Sequence, residues 1–248
     1  MNYKKINTFA LRAFRETADK DYIHARMAYN AGLIPQFLWS SLHCLEKYSK
    51  CILLLCRIPN KNSGHTALES IERFGGKFDV EFSEITLNFI RGLETNGASD
   101  RYYEQSWFIY KPLIIELDKA VWEIRRFCNA ELYNYSENEI NFKSDPDLDL
   151  FDFELRSVKN TIIKGGWLEK VLDEKMHSAR KYLVYGNFFY TKVNRKKVSI
   201  PSKVSAGNSP LYLYPEIIDE LGNYIVINKK IKNSYKELLH KKSKPKTQ

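Results

Sequence analysis

A small group of charged residues precedes the most apolar stretch of this 248-residue sequence. Glu46, Lys47 and Lys50 lie immediately before the apolar run from Cys51 to Cys56. In a helix, Glu46 and Lys50 occupy one flank of the apolar face, whereas Lys47 points further toward solvent. A Glu and a Lys four residues apart can form an ordinary ion pair at a helix edge. They can also line a polar cleft, if charges from other helices point toward them.

Arg125 is the second candidate for chemistry, because it continues the apolar face of a helix predicted from about Lys111 to Leu132. A charged side chain inside a core needs an oppositely charged partner or an anionic ligand. One interpretation is that Glu46 neutralises a buried arginine in a satisfied interior pair. The other is that several charged residues surround one cleft suited to a phosphate, with an aromatic ring as a stacking surface.

The elements that would position these residues are mainly helices. Apolar residues recur at helical spacing through most of the first 130 residues, and glycines or prolines separate the segments. The predicted helices are Thr17 to Gly32, one entered by Pro35, a short one ending at Gly75 and Gly76, Ser83 to Leu93, and about Lys111 to Leu132. A loop is predicted between the last two.

Four short segments follow one another in an order typical of a known domain family. They are ADKDYIHARMAYNAGL, FLWSSLHCLEKYSKCILLL, Gly64-His65 and Arg101-Tyr102. Their order and spacing resemble the HEPN domain of prokaryotes over roughly residues 15 to 130. The resemblance is to the branch whose second helix carries Glu-Lys-x-x-Lys.

The resemblance implies an up-down helical bundle that commonly dimerises. Members of the family act as nucleotide-binding companions of nucleotidyltransferases or as metal-independent ribonucleases. The ligand-cleft residues that we predict from the charge pattern and the resemblance together are Arg26, Glu46, Lys47, Lys50, His65, Arg101, Tyr102 and Arg125.

The ribonuclease members carry an arginine followed, after four to six residues, by a histidine. No arginine of this sequence has a histidine at that spacing, and the nearest case, Arg57 and His65, has seven intervening residues. RNA cleavage without a metal needs a group that titrates near neutral pH, which histidine supplies. We therefore expect RNA or nucleotide binding without cleavage. Two alternatives stay open: a diverged HEPN ribonuclease acting as a toxin or defence effector, and an interaction module for a nucleotidyltransferase or antitoxin.

Positive charge is concentrated in the C-terminal third of the chain. Residues 175–215 contain eight lysines and arginines and no acidic residue, although the net charge of the whole chain is only +9. Cations interleaved with aromatic rings suit RNA or single-stranded DNA, but they also fit an ordinary sheet with solvated lysines. The candidate nucleic-acid-binding residues are Arg180, Lys181, Tyr185, Lys192, Arg195, Lys196 and Lys197.

The predicted fold class is mainly α, a HEPN-like bundle with a small basic α+β extension. The bundle would span residues 1–135, the extension 150–228, and a Lys-rich tail, disordered at its end, 229–248. Within the extension we predict helices at 150–164 and 167–181 and a short helix entered by Pro215. The aromatic and β-branched segments at 182–193, 211–214 and 225–227 favour strands.

Other classes of protein are disfavoured by composition and spacing. The cysteines form no CxxC pair and three of them share one apolar helix, which predicts buried thiols in a reducing compartment. The histidines form no zinc motif, and neither Gly-Gly pair is part of a phosphate-binding loop. No apolar stretch reaches 18 residues. We expect a cytoplasmic, homodimeric protein with no metal, no cofactor and no membrane span.

Overall fold

A computed structural model describes residues 2–59, 66–101, 106–109, 112–136, 139–143, 163–191 and 205–243. Over these ranges the protein is mainly helical, with short strands joined in two pairs. The mainly α fold class is therefore confirmed.

Helices α1 to α3 form the first part of the bundle. Helix α1 (Tyr3–Phe9) passes through a π-helical turn, Ala10–Arg15, into α2 (Glu16–Asn30). Gly32 takes a left-handed conformation, with φ of 77°, in the turn that leads into α3 (Ile34–Leu55). Helices α2 and α3 pack against each other, as predicted from their apolar faces. The apolar face of α2 is buried, and it includes Ala18, Tyr22, Ala25 and Tyr29.

Three further helices complete the bundle, and their ends differ from the prediction. Helix α4 (Ala67–Phe78) continues past both glycines, and Asp79, the residue after its end, adopts the left-handed conformation. Helix α5 (Glu84–Arg101) continues past Leu93 into the segment predicted as a loop, as far as Arg101. Helix α6 (Leu113–Arg125) ends seven residues earlier than predicted, because the chain turns after Arg125.

Two short antiparallel strand pairs were not predicted. Strand β1 (Trp107–Ile109) precedes α6, and β2 (Tyr133–Tyr135) and β3 (Ile140–Phe142) form a hairpin after it. Between α6 and β2 lies a 3₁₀ turn, Ala130–Leu132. Tyr133 lies opposite Phe142 in the hairpin, and their rings stack with centroids 5.6 Å apart. Such an aromatic cross-strand pair stabilises a ladder only three residues long.

The C-terminal third is more helical than its composition indicated. Helices α7 (Trp167–Asp173) and α8 (Arg180–Val184) replace the single helix predicted at 167–181. Strand β4 (Ser205–Gly207) pairs antiparallel with β1. The last elements are α9 (Pro210–Leu213), a 3₁₀ turn (Pro215–Ile217), α10 (Ile218–Leu221) and α11 (Lys229–Ser243).

Three strand predictions in this region are wrong over the residues that can be described. The segments at 182–184 and 211–213 are helical, and 225–227 has no regular structure. Strand preference reflects packing on a pleated surface rather than an intrinsic backbone preference, and in the first segment Tyr182, Phe189 and Tyr190 pack against the main core without forming a strand. The short helix entered by Pro215 is confirmed as a 3₁₀ turn followed by α10. The predicted helix at 150–164 falls almost wholly outside the described residues.

The apolar core consists of two clusters. The larger contains the buried residues of the bundle together with Leu168, Val171, Leu183 and Tyr190. Residues 163–191 therefore share a core with the segment predicted as a separate bundle. The smaller cluster joins the 205–221 region to α11, which belongs to the predicted tail, through Leu211, Ile218, Ile231 and Tyr235.

Among the helices in the described ranges, none is both long enough and apolar enough to cross a membrane.

Candidate functional site

Arg125, the last residue of α6, is fully buried and is held by two carboxylates. Its Nε and Nη2 donate to Oδ1 and Oδ2 of Asp19 on α2, at 2.7 and 2.9 Å. Its Nη1 and Nη2 also donate to Oε1 and Oε2 of Glu169 on α7, at 2.7 and 2.8 Å. Each carboxylate thus accepts two parallel hydrogen bonds, the arrangement in which arginine binds carboxylates most specifically.

The two carboxylates around Arg125 have further hydrogen-bond donors. The Tyr48 hydroxyl donates to Asp19 Oδ1 at 2.6 Å, and the Ile163 amide donates to Glu169 Oε1 at 2.9 Å. A Cβ added at Gly166 would collide with the Glu169 carboxylate, so this glycine permits the close approach. Burial alone would lower the pKa of Arg125, but the carboxylates of Asp19 and Glu169 help raise it well above its usual value.

Arg26 on α2 is the second fully buried arginine. It pairs with Asp118 on α6 and donates from Nε to the Tyr182 carbonyl oxygen at 2.7 Å and from Nη2 to the carbonyl oxygen of Tyr185. Tyr22 donates to Asp118 Oδ1 at 2.6 Å. The two arginines belong to one buried network, since the ring of Tyr190 lies 5.7 Å both from the Tyr22 ring and from the Arg125 guanidinium.

The same spacing of an aspartate and an arginine on α2 and on α6 explains how these two helices pair. Asp19 and Arg26 are seven residues apart on α2, and Asp118 and Arg125 are seven apart on α6. Seven residues make about two helical turns, so the aspartate and the arginine lie on one face. The helices pair crosswise, Asp19 with Arg125 and Arg26 with Asp118, which requires them to run antiparallel at this contact.

The charges of this network leave no excess of positive charge for an anionic ligand. Two arginines face three carboxylates: those of Asp19, Asp118 and Glu169. An incoming phosphate would have to displace a carboxylate that already accepts well-oriented hydrogen bonds. The network as it stands is therefore suited to holding helices together rather than to binding a phosphate.

Glu46 is not the partner of Arg125, so that interpretation is wrong. Glu46 Oε1 accepts a hydrogen bond from Lys50 Nζ at 3.1 Å, which is the ordinary pair at a helix edge. Lys47 pairs with Asp21 of α2, and both side chains are partly exposed. Arg125 is paired instead with Asp19 of α2 and Glu169 of α7.

The side chains of three other predicted cleft residues, His65, Arg101 and Tyr102, lie outside the part of the protein that the structure describes. His65 and Tyr102 lie outside the described residues. Arg101 is the last residue of α5, and only its backbone can be placed.

The predicted nucleic-acid-binding residues fall into two groups. Lys192, Arg195, Lys196 and Lys197 lie outside the described residues. Of the rest, Lys181 is exposed and Tyr185 keeps 55% of its surface accessible. Arg180 is half-buried and donates to the Leu172 carbonyl oxygen at 3.1 Å, so part of its guanidinium is committed to the fold.

Reasoning from the sequence missed the acidic residues that hold the two arginines. None of Asp19, Asp118 and Glu169 is among the predicted cleft residues. The seven-residue spacing of aspartate and arginine on two apolar helices was the available signal. No comparable signal marked Glu169, since its contact with Arg125 spans 44 residues of sequence.

The chain matches none of the protein-family models, curated proteins or solved structures with which it was compared. Within the described ranges, no group of three or more His, Cys, Asp or Glu side chains is arranged to hold a metal ion.

Proposed function

We propose that the protein is a HEPN-like RNA-binding protein that binds single-stranded RNA without cleaving it. The binding surface would begin at Lys175 and continue through the basic segment that follows. The observation that carries the proposal is that the buried arginines are neutralised, whereas cations of the C-terminal third are exposed. Arg26 and Arg125 are neutralised inside the bundle, whereas cations and an aromatic ring remain at the surface of the C-terminal third.

The described part of this surface offers both kinds of contact that single-stranded RNA requires. Lys175 and Lys181 are exposed and can neutralise phosphates, and Tyr185 presents a ring on which a base can stack. Residues 175–215 contain no carboxylate that would repel the RNA backbone. The segment continues with Lys192, Arg195, Lys196 and Lys197, which extend the same composition.

The absence of cleavage is proposed on two grounds. The sequence lacks the spacing of arginine and histidine found in HEPN ribonucleases, and Arg125 is enclosed by Asp19 and Glu169. Purified protein should leave single-stranded RNA intact in the presence of EDTA. Cleavage that disappears in Arg125→Ala, measured on a variant that is still folded, would replace this proposal with the ribonuclease alternative.

A cytoplasmic location is part of the proposal. Cys44, Cys51, Cys56 and Cys128 are all buried thiols, as their apolar surroundings predicted. Burial raises the pKa of the Cys56 thiol to about 12, which keeps it protonated and unreactive at neutral pH. Buried free thiols are typical of proteins in a reducing compartment.

The test is the salt dependence of binding to single-stranded RNA. The logarithm of affinity should fall linearly with the logarithm of salt concentration, with a slope of about 0.7 for each phosphate neutralised. Replacing Arg195, Lys196 and Lys197 by alanine should weaken binding and flatten the slope. Tyr185→Ala should weaken binding while leaving the slope nearly unchanged, because stacking involves no counterion release.

A control variant separates a local surface from net charge. Replacing Lys4, Lys5 and Arg12 by alanine removes the same charge from exposed positions at the other end of the chain. This variant should bind RNA as the unmodified protein does. Equal loss in both triple variants, or no binding at low salt, would overturn the proposal.

A further inference from the structure

The region between α9 and α11 exposes large apolar side chains that the proposed RNA surface does not use. Val226 keeps 96% of its surface accessible, Tyr224 78% and Leu213 60%, and Tyr214, Ile217 and Ile225 are also exposed. Scattered apolar residues are normal on a surface, but Tyr224, Ile225 and Val226 are consecutive and all exposed, and grouped exposed apolar residues mark interaction sites. We call residues 224–226, which connect α10 to α11, the apolar tip.

The apolar tip is held in place by the protein's own backbone. The amides of Tyr224 and Ile225 both donate to the Leu221 carbonyl oxygen at 3.0 Å. On the other side, the side chain of Asn228 accepts from the Lys230 amide at 2.9 Å, which fixes the start of α11. The tip is therefore an ordered turn that presents apolar side chains outward.

The core beneath this surface is small. Within the described ranges, the buried cluster that joins α9, α10 and α11 consists of Leu211, Ile218, Ile231 and Tyr235, and Leu221, Ile227 and Leu238 pack against it partly buried. The same region exposes more large apolar side chains than it buries. A unit with so small a core gains stability when another surface covers its exposed apolar residues.

Charge on either side of the tip indicates what covers it. Exposed acidic residues, Glu216 and Glu220, flank the tip on the α10 side, and exposed lysines, Lys229 and Lys230, flank it on the α11 side. Within the protein, the two helices already attract each other, since Asp219 pairs with Lys232 at 2.8 Å and with Lys236 at 2.9 Å. The other four charges make no ion pair with a described residue and remain available to a partner.

An apolar centre with acid on one side and base on the other is self-complementary about a two-fold axis. When two copies meet at the tip, the acidic α10 side of one faces the basic α11 side of the other. RNA fits this surface less well, because its phosphates would meet the two glutamates. We infer that residues 213–230 form a homodimer interface, centred on the apolar tip and outside the helical bundle.

The first test compares two exposed apolar residues in different parts of the molecule. The unmodified full-length chain should be a dimer by light scattering at low salt, and Val226→Asp should be a monomer with unchanged circular dichroism. Met176, which is 91% exposed between α7 and α8, supplies the control. Met176→Asp should dimerise as the unmodified chain does, because it adds the same charge away from the proposed interface.

The second test uses charge reversal. Glu216→Lys with Glu220→Lys makes both sides of the tip basic, and Lys229→Glu with Lys230→Glu makes both sides acidic. Each double variant should dimerise at least about tenfold more weakly than the unmodified chain, because like charges then meet across the axis. Mixing the two variants should restore a dimer that contains one chain of each.

Three results would overturn the inference. They are a monomeric unmodified chain at high protein concentration, a Val226→Asp variant as dimeric as the unmodified chain, and a mixture of charge-reversed variants that forms no mixed dimer. A monomeric protein in which Val226→Asp lowers RNA affinity would assign the surface to RNA instead. RNA binding by the surface that begins at Lys175 is measured in a separate experiment. Failure of the homodimer inference would therefore not contradict the proposed RNA binding, and failure of RNA binding would not contradict the homodimer.

Discussion

Arg125 and Arg26 show how a charged residue can lie in a core without forming a binding site. Removing a guanidinium from water is costly, and the cost is recovered only when carboxylates and carbonyl oxygens occupy its donors. Arg125 donates its hydrogen bonds to Asp19 and Glu169, and Arg26 donates to Asp118 and to two backbone carbonyl oxygens. The energetic result is asymmetric. The intact network contributes modestly to net stability, but losing one member leaves a buried charge without its partner.

Arg125→Met should therefore lower the free energy of unfolding by about 3–5 kcal/mol, because Asp19 and Glu169 remain buried and unpaired. Adding Asp19→Asn to that variant should recover part of the loss, which a double-mutant cycle in urea measures. Glu46→Ala is the control, since its pair with the partly exposed Lys50 is worth only about 0–1 kcal/mol. A Glu46→Ala variant as unstable as Arg125→Met would show that the assignment of partners is incorrect.

The thiol of Cys56 predicts how stability depends on alkaline pH. Burial, the largest cause, raises its pKa from an ordinary 9.0 to about 12. The unfolded chain therefore loses this proton at lower pH than the folded protein does. The stabilising contribution is complete below pH 9.0 and is lost as the pH rises to about 12.

Urea denaturation at a series of alkaline pH values checks this dependence. Stability should decrease as the pH rises above 9.0, and Cys56→Ala should show a shallower decrease, even if its stability at neutral pH is lower. Ser49→Ala alters another buried small side chain, one without a titrating group, and should keep the original slope. Identical slopes in all three proteins would contradict the assignment.

At the scale of elements, apolar periodicity predicted α2 and α3 and the inward phase of Arg125. These features depend on local spacing, which a sequence displays directly. The ends of α4 and α6 and the hairpin of β2 and β3 depend instead on contacts distant in sequence. The partners of the arginines were missed for the same reason, since Asp19 and Arg125 are 106 residues apart.

The end of α4 offers a matched pair of glycines. A Cβ at Gly75 would lie 2.6 Å from the Val80 carbonyl oxygen, whereas a Cβ at Gly76 would have nothing within 4 Å. Gly76→Ala should stabilise the protein by about 0.5–1 kcal/mol, because alanine loses less conformational entropy in a helix. Gly75→Ala should destabilise it by about 1–3 kcal/mol through that steric clash. Thermal denaturation of the two variants distinguishes them, and a stabilising Gly75→Ala would show that the turn after Phe78 differs from the one described.

At the scale of the whole molecule, residues 163–191 hold the bundle together. They supply Glu169 to Arg125, two carbonyl oxygens to Arg26, and Asn187, which donates to the Tyr22 hydroxyl at 2.8 Å. They also add four residues to the main apolar core. The region from 205 onward contributes instead to its own small cluster and to the pairing of β4 with β1. The two parts of the C-terminal third therefore differ in their importance for folding.

Two truncations test this difference. A chain that ends at residue 191 keeps every described contact of the buried arginines, so it should unfold cooperatively. It should also be monomeric, because it lacks the proposed dimer interface at residues 213–230. A chain that ends at residue 143 loses Glu169 and the carbonyl partners of Arg26, and it exposes the core that Leu183 and Tyr190 cover. It should bind a hydrophobic dye and lose cooperative unfolding, because buried charges and apolar surface become uncovered together. If the shorter chain unfolds cooperatively at the same temperature as the longer one, residues 163–191 are dispensable and the bundle is an independent unit.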